Sequence, residues 1–171
     1  LGGLEGNDLA SFPKGTVNLA GVTFDVRGLI HLTGQQIETL SSIDYPQKVT
    51  NIIIGRKAEH LHFLHGAGWP SDEGQTIAKW TIYYDDGTEN VIRVHYGKDV
   101  ADWWTAPDAP SLSGSQAAWE GENAATRESS MQLRLFKKAW NNPHPEKVIK
   151  AIDYTSSMKD SSPFMLAITA D

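Results

Sequence analysis

The sequence predicts an all-β protein, an antiparallel β-sandwich of the jelly-roll kind, and three observations predict it. Trp80, Ile82 and Tyr84 alternate with Thr81, Tyr83 and Asp85; Asp86-Gly87 follows, and Val91 to Tyr96 is again β-branched and aromatic. An Asp-Gly pair between two such runs is a hairpin signal, because positive φ at both central residues matches the strand twist. Further short apolar runs recur along the chain with Gly/Pro turn signals between them, as in sandwiches and barrels. No segment longer than a turn or two carries helical periodicity.

The elements follow in order. Gly2, Gly3, Gly6, Pro13 and Gly15 read as an irregular lead-in, with one edge strand near Thr16 to Leu19. Val22 to Asp25 alternates, Leu29 to Leu32 is a further extended run, and Arg27-Gly28 bends the chain between them. Tyr45-Pro46 pre-sets an extended start for the next piece. Ile52-Ile53-Ile54 is stiff at χ1 and favours strand, with a turn at Gly55-Arg56-Lys57. From Ala58 to His65, Leu61, Phe63 and His65 face one way and His60, His62 and Leu64 the other.

Loops are expected from His65 to Gln75 and from Gly97 to Ser115, flanking the hairpin, which reads as the centre of the domain. Ala117 to Glu120 is extended and Gly121 to Ser130 polar. Met131 to Phe136 alternates. Trp140 to Pro145 is a turn, because its two prolines remove donors and force extended neighbours. Lys147 to Tyr154 and Pro163 to Thr169 give the last strands, the final one apolar throughout and expected to be central.

At 171 residues and 40% apolar content, the chain has the length of one domain with one core. It is expected to be a module of a larger protein. The net charge of −6 argues against a nucleic-acid partner, which needs basic patches. Leu1-Gly2-Gly3-Leu4 lacks the basic start and apolar stretch of a signal peptide, and no apolar run approaches the roughly 20 residues that span a bilayer. The absence of cysteine excludes disulfides and thiolate chemistry.

Four segments carry a resemblance: Gly21 to Gly28, Leu61 to Trp69, Tyr96 to Trp104, and Trp140 to Pro145. Together they resemble an accessory domain of large planctomycete and verrucomicrobial proteins, similar to galactose-binding-like jelly-roll carbohydrate-binding modules. The resemblance implies a non-catalytic module of an extracellular or cell-envelope protein, with a polysaccharide or glycan, or other domains of the parent chain, as partner.

The residues bearing on function are the tryptophans, six in number. Trp69 lies in a glycine-rich loop and Trp103-Trp104 just past a strand end, and loops are where binding residues concentrate. Sugars pack C–H faces on indole, and their hydroxyls need polar partners, which Asp99, Asp102, Arg134 and Asn142 could supply. The blander reading makes these rings core plugs. Since adjacent residues of an extended chain point to opposite sides, Trp103 and Trp104 are not both expected to face solvent.

His60, His62, His65 and His95 could hold a metal through imidazole, but no further ligand spacing completes a site, and hydrogen-bonded sheet histidines explain them better. Asp72-Glu73, Asp85-Asp86 and Asp99/Asp102 offer carboxylate pairs of the kind glycosidases use; Asp85-Asp86 is better explained by its turn. No cofactor is expected beyond a structural calcium ion held by loop oxygens. Two rival readings stand beside glycan binding: a protein-interaction or structural module, and an enzyme with a histidine-bound metal.

Overall fold

The computed structural model describes residues 5–171; the Leu1-Gly2-Gly3-Leu4 opening lies outside the described residues. The described chain is an all-β sandwich of antiparallel sheets. Its strands are β1 (Gly15–Leu19), β2 (Val22–Val26), β3 (Ile30–His31), β4 (Lys48–Arg56), β5 (His60–Gly68), β6 (Thr76–Tyr84), β7 (Glu89–His95), β8 (Trp104–Thr105), β9 (Gln116–Gly121), β10 (Gln132–Asn141), β11 (Ile149–Ser156) and β12 (Ser162–Ala170). Two short helices, α1 (Gln35–Leu40) and α2 (Ala124–Arg127), fill connections.

One sheet runs β3-β12-β5-β10-β8, with β9 also paired to β10; the other runs β4-β11-β6-β7; β1 and β2 form a separate hairpin. The final apolar strand, expected to be central, is internal but lies one place from the edge, between the two-residue β3 and β5. The 80–96 hairpin is not central: β6 is internal but β7 is an edge. Its turn also differs from the expected pair of positive-φ residues. Tyr83 pairs with Glu89, Tyr84 N–H donates to Thr88 O, and only Gly87 has positive φ (85°). This is a longer hairpin loop closed by one left-handed glycine.

The larger sheet is buried on both faces. On one, Leu61, Phe63, Phe136 and Met165 meet Trp80, Ile82, Ile152 and Tyr154 of the smaller sheet. Trp80 is the hub, stacked on Phe63 (4.0 Å between ring centres) and on Tyr154 (5.6 Å). On the other face, Leu64, Leu133, Leu135 and Phe164 are covered by Phe12, Phe24 and Val26. The β1–β2 hairpin therefore acts as a third layer.

Two-sided burial explains why β5 outruns its sequence reading. Gly66-Ala67-Gly68 were expected in a loop, yet they remain in the strand, paired with Phe164, Pro163 and Ser162 of β12. The Phe164 ring lies where a Cβ on Gly66 would stand, about 2.5 Å from it. β4 likewise runs on through Gly55 and Arg56, and β10 keeps Trp140 and Asn141 in the strand rather than the turn.

Candidate functional site

Three of the seven predicted site residues converge on a fourth at one end of the sandwich. Asp102 forms a bridge with Ala67 at the end of β5, and Trp103 N–H donates to Ala67 O (2.8 Å). The Asp102 carboxylate accepts from Trp104 N–H at 3.1 Å, and the backbone N–H groups of Trp69 and Trp103 also favour its charged form. Burial outweighs these donors and pushes its pKa up to about 6.

The three indoles then part ways. Trp103 is 3% exposed and packs edge-on to Phe164 (5.8 Å), so it is a core plug and cannot offer a ring to a ligand. Trp104, its neighbour on the chain, is half-buried against the same apolar cluster, with Nε1–H donating to Asn7 Oδ1 at 2.9 Å. Trp69 is also half-buried. Its backbone is left-handed (φ 62°), a conformation that costs a bulky L-residue about 1–2 kcal/mol. The strain is held from β12's approach: Ser161 Oγ donates to Trp69 O (2.7 Å), while Ser161 N–H donates to Ser71 Oγ (3.0 Å).

The remaining predicted residues are spent inside the fold. Asp99, 1% exposed, accepts from Lys138 Nζ (2.6 Å) and His95 N–H (2.9 Å), and its other carboxylate contact is His95 Nδ1 (3.1 Å). Burial works to raise its pKa, but the bonds from Lys138 and His95 win and hold it below the usual carboxylate range. Arg134, 7% exposed, lies beside the tryptophan loop. Its Nε–H is taken by Glu120 (2.9 Å) and another guanidinium N–H by Ala109 O (3.2 Å).

Asn142 is at the opposite end, since Asn141 pairs with His60 at the far terminus of β5. It is 7% exposed, accepting from Tyr84 Oη–H (2.6 Å) and donating to Ala58 O (2.8 Å). Buried polar side chains must find partners within the protein. Here that demand uses the groups that sequence reasoning assigned to sugar hydroxyls.

The four histidines do not converge. His65 is 1% exposed, edge-on to Trp80, and burial lowers its pKa to about 3. His95 is bonded to Asp99. His60 and the largely buried His62 lie side by side, both against Asp171 (3.1 and 3.3 Å). Among the described residues, no three His, Asp or Glu side chains gather as a metal-binding group, and no helix is long and apolar enough to cross a membrane.

A second surface was missed by sequence reasoning: the outward face of the smaller sheet. Asp153 on β11 accepts there from Lys48 Nζ (2.7 Å), Asn51 N–H (2.9 Å) and Tyr83 Oη–H (3.2 Å). Burial opposes ionisation, but these donors hold its pKa below the ordinary range. Beside it, a hollow of about 590 Å³ is lined by Tyr83, Ile53, Lys150 and Asp153 among others. Ile53 is 67% exposed. The alternation of Thr81 and Tyr83 with core residues was the available signal; what the sequence lacked was the order of strands that places them beside Asp153.

No protein-family model matches the chain, and no curated protein matches it. Function therefore rests on the geometry.

Proposed function

We propose that this protein is a non-catalytic glycan-binding module whose ligand seats at the sandwich rim against Trp69 and Trp104, above Asp102. The observation that supports this most is the left-handed backbone at Trp69, held in place by Ser161 and Ser71. A bulky residue kept in a strained conformation by its surroundings points to a role for the ring itself. Two half-buried indoles supply flat apolar faces, and the carboxylate they share supplies an acceptor. Trp103, Asp99 and Arg134 act behind this surface as supports, while Asn142 serves the opposite end of the sandwich.

Affinity-gel electrophoresis on a panel of neutral polysaccharides tests the reading. At least one should retard the protein, and Trp69→Ala and Trp104→Ala should each weaken that binding about tenfold with the thermal midpoint little changed. Unaltered binding by both variants, or no retardation of folded protein by any glycan, would remove the rim as a site. A protein-interaction or structural module then becomes the better account. The observation that favours this second reading is that none of the six tryptophans is fully exposed.

A further inference from the structure

The outward face of the four-stranded sheet holds an arrangement that the rim does not explain. Lys48, Thr155, Lys79 and Arg93 are consecutive partners across β4, β11, β6 and β7. All four lie on the side opposite Tyr154, Trp80 and Val94 of the core, and the three cations are exposed. They form one row across the sheet, about 14 Å long at the usual strand spacing.

Lys48 is neutralised by Asp153. Among the described residues, neither Lys79 nor Arg93 has a carboxylate within ion-pair distance, although they are direct cross-strand partners. Like charges placed opposite each other destabilise a sheet. In a chain of net charge −6, an unpaired cation pair is a local reversal of sign. An anion seated between the two side chains would relieve it.

The rest of the face narrows the class of anion. Two residues further along lie Asp153, Thr81 and Val91; four residues along lie Ile53, Ala151, Tyr83 and Glu89. The last row is about 13 Å from the cations and borders the hollow lined by Ile53, Tyr83 and Lys150. The face thus has a cationic end, a middle of hydroxyl and carboxylate groups beside Val91, and an end with Ile53, a phenol ring and, at the sheet edge, the Glu89 carboxylate.

Duplex nucleic acid presents a charge about every 1.7 Å along its axis, which would set phosphates against Asp153 and Glu89. A sugar chain with separated carboxylates meets the face better. Its acid groups reach Lys79 and Arg93, its hydroxyls meet Thr155, and a ring face packs at Tyr83 and Ile53.

We propose that this sheet face is a second binding surface, specific for an acidic, uronate-type polysaccharide lying along the strands, with Lys79 and Arg93 as its carboxylate seat. The proposal rests on the glycan reading only for the class of polymer, not for the rim residues.

The test is affinity-gel electrophoresis of the wild type, the Lys79→Ala/Arg93→Ala double variant and Trp69→Ala, on polygalacturonate, on an uncharged cellulose derivative and on duplex DNA. Both the lysine and the arginine are exposed and unpaired with a carboxylate, so the double variant should melt no lower than the wild type. Polygalacturonate should retard the wild type and Trp69→Ala alike. The double variant should lose at least about tenfold in affinity, and added salt should weaken what remains.

Absence of wild-type retardation on polygalacturonate overturns the proposal. So does equal retardation of the double variant, or retardation by DNA as strong as by polygalacturonate. If every neutral polysaccharide of the panel fails to bind while the polygalacturonate pattern holds, the rim reading falls and this one stands.

Discussion

Asp102 shows how one carboxylate can support a surface and still be poorly solvated. Its oxygens receive a backbone donor from Trp104, yet burial pushes its pKa to about 6 from an ordinary 3.8. Between those values the native state binds the extra proton. The associated stability is fully present below about pH 3.8 and is lost as pH rises through about 6, an amount on the order of 3 kcal/mol. His31 has the opposite sign. Burial lowers its pKa to about 4, so its contribution is present above about pH 6.5 and is lost as pH falls through about 4. The two slopes overlap in the wild type. Asp102→Asn removes one of them, and urea unfolding from pH 4 to pH 7 should show a steeper rise of stability with pH in the variant. Identical profiles would mean that Asp102 is solvated. Residue-level outcomes were legible only where neighbours in sequence decide them. Alternation argued that Trp103 and Trp104 do not both face solvent, and Trp103 is buried while Trp104 is half-buried. His95 lies four residues before Asp99, but the cation that accompanies the carboxylate into the interior, Lys138, is 39 residues away on β10.

At the level of elements, the sequence reading located the strands better than it located their ends and neighbours. β2, β6, β10 and β12 follow from alternation or apolar runs. The edge position of β7 does not, because β11, contributed from the far end of the chain, enters between β4 and β6 and makes β6 internal. Glycine misled for a definite reason. Gly66 looked like the start of a loop, but its missing side chain is what lets Phe164 of the neighbouring strand lie across β5. That ring is fully buried, between His31 and Trp103 at 5.8 Å from each, and has no room to retreat. Gly66→Ala should therefore destabilise the protein by about 1–3 kcal/mol through overpacking, measured by urea unfolding. Adding Phe164→Leu should return part of the loss. A neutral Gly66→Ala would show that β5 is looser there than its packing indicates.

For the whole molecule, the consequential feature is a sheet enclosed on two sides by partners of unequal strength. The four-stranded sheet covers one side through a continuous cluster around Trp80. The other side is closed by the β1–β2 hairpin, which pairs with itself and is joined to the larger sheet by side chains: Phe24 and Val26 in the second cluster, Thr169 Oγ1–H donating to Thr23 O (2.7 Å), and Lys137 Nζ donating to Ala20 O (2.5 Å). Among the described residues, no ladder of backbone bonds ties β1 or β2 to the sheet below. A layer held this way should open at lower free energy than the strands it covers, since local opening is governed by the contacts that cross its boundary. Phe24, 0% exposed, supplies the central contact. Phe24→Ala should remove about 3–5 kcal/mol of packing, and most of that loss should fall on the hairpin's own opening. In native-state hydrogen exchange, amides of β1 and β2 should exchange faster than those of β6 and β11 in the wild type, and the gap should widen in Phe24→Ala. Equal acceleration in all four strands would mean instead that the two clusters open together, with the hairpin an inseparable part of one cooperative core.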